Sequence, residues 1–259
     1  MHMKRLIVLT LAVVFAAAPA FGWGREGHEV IAKIAENHLQ PSAKKKIEKY
    51  LDGYSIVYFA KWMDDYRNTP EYGFTTKWHT APVNADLKYE DSLLNPKTGN
   101  AIYGLEKAVE ALENRKELSD SAIAVNIKYI IHIVGDMHCP SHVKYTTYDW
   151  DYSVVIPKSG KVTLHSAWDG AIIRSTRYFS ATEWAEEIDL LSRKEAKEVV
   201  KGTPRDWFHE SAERCTVQFE WMLPDKKVSQ DVLNKAVPLI ETQFVLAGYR
   251  LAHILNELF

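Results

Sequence analysis

Residues 132–142 read His132-Ile133-Val134-Gly135-Asp136-Met137-His138-Cys139-Pro140-Ser141-His142. They close an apolar run over residues 122–134, which predicts a buried helix. His132 and Asp136 are four residues apart, so both side chains leave one face of that helix about one turn apart. Pro140 ends the helix and lets His142 return from the following segment. Two imidazoles and a carboxylate converging at one helix end predict a zinc or iron site.

Further groups of the same kind are spread along the chain. They are His165 with Asp169, Asp64 with Arg67, His79 after Trp78, and His28 five residues after Trp23. Each group alone is equally compatible with core histidines or with an ion pair on the surface. Their joint presence favours more than one metal ion, because a zinc ion takes four or five ligands. The other histidines, His38, His138, His209 and His253, are interpreted as surface or core residues.

The length and composition of the chain limit the classes of protein to which it can belong. The chain has 259 residues, of which 46% are hydrophobic, and this is enough for one sizeable core. A net charge of −2 excludes a strongly basic, tail-driven nucleic-acid-binding protein. It does not exclude an enzyme that holds phosphate through metal ions.

The N-terminus predicts a secretory signal peptide over residues 1–22. Lys4 and Arg5 precede an apolar run over residues 6–20, and Ala20 and Gly22 supply small residues before a cut at Trp23. The run is too short for a stable membrane anchor, although a retained anchor is the alternative. We therefore expect a secreted or periplasmic domain over residues 23–259. Export also permits a disulfide between the two cysteines, Cys139 and Cys215.

Periodicity predicts an all-α fold. Helical patterns cover residues 25–40, 41–51, 56–66, 102–115, 119–137, 165–176, 182–200, 204–221 and 229–258. One β-hairpin is expected over residues 153–164, where two short apolar segments flank Lys158-Ser159-Gly160. We predict a single compact multi-helix domain with one small β-hairpin.

At the groups named above, the chain resembles the zinc-dependent, single-strand-specific nuclease/3′-nucleotidases. These are the mung bean nuclease and nuclease P-one type, within the phospholipase C/nuclease superfamily. Five motifs carry the resemblance: Trp-Gly-x-x-Gly-His at 23–28, Trp-x-Asp-x-x-Arg at 62–67, Trp-His at 78–79, His-x3-Asp-x5-His at 132–142 and Leu-His-Ser-x-Trp-Asp at 164–169. Beyond about residue 180 only the helical character supports it. The resemblance implies a fold of the phospholipase C/nuclease type.

The resemblance also implies three zinc ions. The first would be held by Asp64, His79, His132 and Asp136, and the second by the amine and carbonyl of Trp23, His28 and Asp136. The third would be held by His142, His165 and Asp169. A cut directly before Trp23 fits this expectation, because a deprotonated amine is a good ligand and an internal amide nitrogen is a poor one.

The activity that the resemblance implies is hydrolysis of single-stranded DNA or RNA to 5′-phosphorylated products, with 3′-nucleotides as further substrates. Zinc ions would activate the attacking water at neutral pH. Asp64 would orient that water, and Arg67 would stabilise charge on the phosphorus. We expect a nucleic-acid or nucleotide substrate and no obligate protein partner.

Several positions depart from the family's pattern where the base of the substrate is held. Thr80 and Pro82 replace an aromatic residue and an acid, and Cys139 stands where many members have Gln. The Gly-Gly-Asn segment before the hairpin is replaced by residues 148–152, and Thr163 replaces an Asn. Trp150, Tyr148 or Tyr152 could stack on a base instead. These changes leave the expected metal ligands untouched.

Two other functions compete with a nuclease. A zinc phospholipase C of the same superfamily also begins its mature chain with Trp, but it carries Glu where this sequence has Asp169. A secreted zinc-binding module without catalysis is the second alternative. Asp64 with Arg67 favours an enzyme, since a purely structural metal site needs no adjacent arginine.

Overall fold

The two helices that pack most extensively against each other are α1, Arg25–His38, and α12, Gln230–Leu258. A computed structural model describes residues 23–259, and the predicted signal peptide lies outside the described residues. The helices α1 and α12 approach closely at Gly248, where an added Cβ would lie 2.5 Å from Ile34 Cγ2. Gly248 therefore sets the separation of the two helices.

Ten further α-helices complete the described part of the chain. They are α2 (Pro41–Tyr50), α3 (Trp62–Tyr66), α4 (Ala101–Glu113), α5 (Asp120–Asp136), α6 (Leu164–Ser166), α7 (Ile172–Thr176), α8 (Ala181–Ile188), α9 (Arg193–Val199), α10 (Pro204–Cys215) and α11 (Gln218–Trp221). A π-helical turn, Ala167–Ala171, joins α6 to α7. Short 3₁₀ turns include Gly73–Lys77 and Pro140–His142. The predicted all-α class is confirmed.

Helix α5 runs into the centre of the fold. Ser119 caps its N-terminus by accepting a hydrogen bond from the backbone of Ala122. The helix packs against α4, α12, α2, α1 and α3, so its last two turns are buried on every side. This environment explains why the sequence is continuously apolar there rather than amphipathic. Helix α5 ends at Asp136, and the 3₁₀ turn at Pro140 follows it as the sequence predicts.

Two small sheets lie beside the helices. The expected hairpin is confirmed as β3 (Ser153–Ile156) paired antiparallel with β4 (Gly160–Thr163). A second sheet, which the sequence analysis missed, pairs β1 (Ala81–Val83) parallel with β2 (Val143–Tyr145). Its strands have three residues each, too few for a period-2 pattern to stand out. This pairing brings the chain after His79 next to the chain after His142.

Three helix predictions are wrong in extent. Residues 182–200 form α8 and α9, because Ser192 and Glu195 make a capping box that starts a new helix. Residues 204–221 likewise form α10 and α11. Within residues 56–66 only α3 is α-helical, and turns precede it.

The described residues leave both cysteines as buried free thiols. The disulfide that export would permit is therefore not formed between Cys139 and Cys215. Across residues 23–259, no helix is long and apolar enough to cross a membrane.

Candidate metal centre

The carboxylate of Asp136 lies at the centre of a cluster of histidines. Its Oδ2 is 3.0 Å from His79 Nδ1 and 3.2 Å from His132 Nε2. Its Oδ1 is 3.3 Å from His28 Nε2 and 3.2 Å from His142 Nδ1. One fully buried carboxylate thus faces two sets of imidazoles with two different oxygens.

The first set gathers three protein segments around Asp136 Oδ2. His132 Nδ1 donates to the carbonyl of Ala60 at 2.9 Å, which leaves Nε2 free to offer a lone pair. That Nε2 lies 3.1 Å from His79 Nδ1 and 3.8 Å from Asp64 Oδ1. Asp64 is supplied by α3, which packs against α5.

The second set is formed by His28 from α1, facing Asp136 Oδ1. The His28 ring stacks on His132 with centroids 3.9 Å apart. Gly135 permits this approach, because a Cβ there would lie 2.8 Å from His28 Nδ1. Ligand atoms of His28, His132 and Asp136 all lie within 4.8 Å of one another.

The third set joins His142 to the π-helical turn. His142 Nδ1 donates to the carbonyl of His79 at 2.6 Å, and its Nε2 lies 3.0 Å from His165 Nε2. His165 Nε2 is in turn 3.2 Å from Asp169 Oδ2. π-helical turns are frequent at functional sites, and this one carries Asp169.

Trp23 is buried at the start of α1 and packs against Phe244 of α12, with ring centroids 4.8 Å apart. The next residue, Gly24, donates its backbone N–H to the carbonyl of Asp169. The segment that precedes His28 is therefore attached to the third set.

The donor atoms fit divalent metal ions. Tetrahedral zinc with Zn–N bonds of about 2.0–2.1 Å places its ligand atoms about 3.4 Å apart. The separations in the three sets, 3.0 to 3.8 Å, bracket that value. Among the described residues, five buried atoms of these side chains lack a hydrogen-bond partner: His28 Nε2, Asp64 Oδ1, His79 Nε2, Asp136 Oδ1 and Asp169 Oδ2. Orphaned buried polar atoms are costly, and bound cations would satisfy them.

Comparison with known proteins agrees with this geometry. A family model described as S1/P1 Nuclease matches residues 23–259. The chain belongs to the S1/P1 nuclease family. The resemblance seen in the five motifs is confirmed, and so are the helical fold of the phospholipase C/nuclease type and the enzyme class, a hydrolase of the nuclease type.

Relatives in this family match over nearly their whole length. Endonuclease 2 of Arabidopsis thaliana is 23% identical over 98% of this chain and 96% of its own. Nuclease S1 of Aspergillus oryzae is 25% identical over 96% of each chain. Nuclease P1 of Penicillium citrinum is 23% identical over 91% of this chain and 97% of its own.

The electrostatics of this S1/P1 nuclease site favour neutral imidazoles at most of the candidate ligands. Burial lowers the pKa of His28, His79 and His142, and it lowers the pKa of His165 to about 3. A neutral ring is the form that binds a metal ion. His132 differs, because the Asp136 and Asp64 carboxylates outweigh burial and raise its pKa to about 9.

The pKa values of the two buried carboxylates, Asp136 and Asp169, are shifted in opposite directions. Burial raises the pKa of Asp169 well above its usual value. Burial acts in the same sense on Asp136, but the imidazoles of His142 and His132 outweigh it and hold its pKa well below the usual range. Asp136 is therefore the permanent anion of the cluster.

Arg67 is a buried cation rather than half of a surface ion pair. Only 6% of it is exposed, and its Nη1 lies 3.3 Å from Asp64 Oδ1. Burial lowers its pKa, while Asp64, Asp136 and Asp169 act against that shift. Arg67 thus feels carboxylates from both ends of the cluster, and the guanidinium stays charged at neutral pH.

Three more residues surround the third set. The sequence analysis missed Ser141 and Lys144, and it noted Cys139 without assigning it to the site. Ser141 Oγ donates to Asp169 Oδ1 at 2.9 Å, and Cys139 Sγ lies 3.8 Å from the same oxygen. Both residues lie between the candidate ligands Asp136 and His142 in the sequence, so their proximity to the site could have been predicted. Lys144 also lies here, with a pKa that burial lowers to about 8 against the pull of Asp169. No pattern in the sequence marks it.

His138 lies off the site, as its position two residues after Asp136 predicts. Its Nδ1 donates to the carbonyl of Val134, and its Nε2 lies 2.9 Å from Arg250 Nη1. The ring is buried in the core, and burial and Arg250 lower its pKa to about 3.

Proposed function

We propose that this protein is a three-zinc phosphodiesterase that hydrolyses single-stranded DNA and RNA to 5′-phosphorylated products, and that it also accepts 3′-nucleotides. The observation that carries the proposal is the convergence of five separate sequence motifs in one cluster. Asp136 contacts His28 and His79, Asp64 lies near His132, and His165 lies near His142. Nuclease-family membership supports the reaction class. The names of the relatives, two nucleases and an endonuclease, support a nucleic-acid substrate.

Each of the three proposed ions is assigned to one of the three sets of side chains described above. Asp64, His79, His132 and Asp136 hold the first, the Trp23 amine and carbonyl with His28 and Asp136 hold the second, and His142, His165 and Asp169 hold the third. When bound, zinc supplies Lewis acidity, an activated water and positive charge for the phosphate oxygens. Iron is the other metal that these donors accept.

The side chains next to the ions do the positioning. Asp64 turns Oδ1 toward His79, His132 and Arg67, and its other carboxylate oxygen would accept a hydrogen bond from an attacking water. Arg67 is held beside Asp64 and projects a planar set of donors that suits the oxygens of a phosphate in transition. Most side chains of the cluster are buried, Arg67 among them, and burial strengthens each of these electrostatic contacts.

A processed N-terminus belongs to this proposal. The family match begins at Trp23, the residue before which the signal peptide is expected to be cut. Removal of residues 1–22 would convert the Trp23 amide into an amine that can bind a metal ion. Secretion or export to a periplasm follows from the same processing.

The first test measures metal content and cleavage together. Protein that begins at Trp23 is analysed for zinc and iron, then assayed on single-stranded DNA, on RNA and on a 3′-mononucleotide, with and without chelator. We expect about three zinc ions per chain and cleavage that the chelator abolishes. Release of diacylglycerol from phosphatidylcholine, with single-stranded DNA left intact, would reverse the choice in favour of the phospholipase branch.

A substitution separates catalysis from metal binding. Asp64→Asn is expected to abolish cleavage while zinc content stays nearly constant, because the amide oxygen still ligates but no longer orients the water as a charged acceptor. The matched control is Asp65→Asn, since Asp65 is 49% exposed in its side chain and pairs with Lys61 instead. Survival of cleavage in Asp64→Asn would refute the assigned role. A zinc-binding module without catalysis predicts no cleavage even in the unaltered protein.

A further inference from the structure

Lys144 is a half-buried cation beside the third set of ligands. It lies in β2, two residues after His142. Its Nζ donates to the carbonyl of Ser141 at 3.2 Å and lies 3.8 Å from the centre of the Trp150 ring. The carbonyl and the ring hold the ammonium in place without neutralising it.

No carboxylate in residues 23–259 lies within ion-pair distance of this ammonium. The acid with the largest electrostatic effect on it is Asp169, followed by the Cys139 thiol and by Asp151, and Lys77 adds further positive charge. The strand partner of Lys144 is Pro82, which brings no charge to the same face of the sheet. Arg67, by contrast, is paired with Asp64 at 3.3 Å. An uncompensated cation kept partly from water is costly unless a ligand brings the missing negative charge.

Lys144 is also close to the accessible side of the cluster. Among the imidazoles of the three sets, His165 has the most exposed side chain, at 21%. Lys144 itself does not line a cavity there, but Ser141 and Trp150, the two groups that hold its ammonium, line a small cavity together with His165. Both Lys144 and Arg67 add positive potential at the His165 ring. A phosphate that reaches His165 would therefore come under the positive potential of two cations.

We propose that Lys144 binds an oxygen of the scissile phosphate at the third set. An ammonium has three N–H donors, of which Ser141 takes one and two remain for an anion. Charge-assisted hydrogen bonds to phosphate are strong in such a partly dehydrated place. This proposal rests on the proposed function for the identity of the substrate, but its binding test does not need cleavage.

The experiment uses inorganic phosphate as the probe on the metal-loaded protein that begins at Trp23. Affinity is measured by calorimetry for the unaltered protein, Lys144→Met, Lys144→Gln and Lys144→Arg. We expect phosphate to bind about tenfold or more weakly to the Met and Gln variants, and within about threefold of normal to the Arg variant, which keeps the charge. Zinc content should stay unchanged, because Lys144 is not a ligand. The two neutral variants differ in polarity, so the test survives if one of them fails to fold.

Lys161→Met is the matched control. Lys161 lies in β4, is 64% exposed in its side chain and pairs with Asp225, so its loss should not change phosphate affinity. Unaltered phosphate affinity in a folded, zinc-loaded Lys144→Met would overturn the proposal. Loss of zinc in both neutral variants would overturn it as well and would make Lys144 a structural residue.

Cleavage assays distinguish this proposal from the function on which it rests. If the unaltered protein cleaves single-stranded DNA, kcat should fall in the neutral variants for the polymer and for a 3′-mononucleotide alike, because both present the scissile phosphate. If it cleaves neither while Lys144 still governs phosphate affinity, the proposed function fails and the phosphate site stands.

Discussion

At the scale of single residues, Asp136 organises the site. It is fully buried, and its two oxygens face different imidazole sets within 3.0–3.3 Å. Buried carboxylates are tolerated only with partners that compensate the charge. Here His132, whose pKa is raised to about 9, supplies positive charge in the metal-free protein. In the proposed function bound metal ions would supply that charge instead, and Asp136 would couple two of them.

Replacing Asp136 should therefore remove two ions, whereas replacing Asp169 should remove one. We expect Asp136→Ala to retain about one zinc per chain and Asp169→Ala about two, because alanine removes the ligating oxygens altogether. Elemental analysis after gel filtration measures both. Equal losses in the two variants would contradict a bridging role for Asp136.

The amine of Trp23 makes a second prediction at this scale. A chain that keeps Gly22 before Trp23 should hold about one zinc fewer than a chain that begins at Trp23, because an amide nitrogen is a poor ligand. Elemental analysis of the two forms, prepared from one precursor with and without proteolytic trimming, makes the comparison. Identical zinc content would exclude the amine as a ligand.

At the scale of elements, helix packing brings the ligands together. Helix α1 carries His28, α5 carries His132 and Asp136, and α12 packs against both helices. The parallel pairing of β1 with β2 places the segment after His79 beside the segment after His142. The positions of the candidate ligands therefore depend on α12 and on the β1–β2 sheet, which carry none of these ligands themselves.

Gly248 of α12 tests that dependence. Gly248→Ala should lower the free energy of unfolding by about 1–2 kcal/mol, because its methyl would overlap Ile34. Overpacking costs about 1–3 kcal/mol, and the helical preference of Ala returns only about 0.5–1 kcal/mol. Urea unfolding measures the difference. In the control Gly73→Ala, the nearest atom to the new Cβ is Arg67 O at 3.8 Å, so stability should change little. A stabilised Gly248→Ala protein would show that the two helices separate easily.

At the scale of the whole molecule, the buried histidines make stability depend on pH. Five of them have a lowered pKa: His28, His79, His138, His142 and His165. Below about pH 6.5 the unfolded chain protonates these rings more readily than the folded chain does, so it binds more protons and stability falls as the pH falls. Asp169, with a raised pKa, acts in the opposite sense but is a single group.

The metal-free protein should therefore become less stable on acidification. We expect the free energy of unfolding to fall by more than about 1.4 kcal/mol per pH unit between pH 6 and 5. The raised pKa of His132 adds nothing in this window, because both states are protonated there, and its contribution is lost only as the pH rises toward about 9. Urea unfolding with chelator at several pH values provides the measurement. A flat profile would mean that the rings are protonated in the folded state.

Much of the site could be predicted from sequence because its ligands come in short motifs. The spacing of His132 and Asp136 on one helix face, and of His165 and Asp169 four residues apart, needs only local geometry, and both pairs lie within 3.2 Å. The apolar run of α5 and the proline after it determined where the central helix lies and ends. Arg67 and Asp64 were recognised as a pair, but their burial was not.

Only the tertiary structure decided which candidate ligands face one another and what surrounds them. Nothing in the sequence orders the contacts among His28, His79 and His142, since these depend on helix packing and on a sheet with strands too short to leave a pattern. The proposed phosphate-binding role of Lys144 rests on its contacts with Trp150 and Ser141 and on the lack of an ion-paired carboxylate among the described residues. These depend on the folded structure and cannot be read from the sequence. Local chemistry follows from neighbours along the chain, whereas burial and charge compensation follow from neighbours in space.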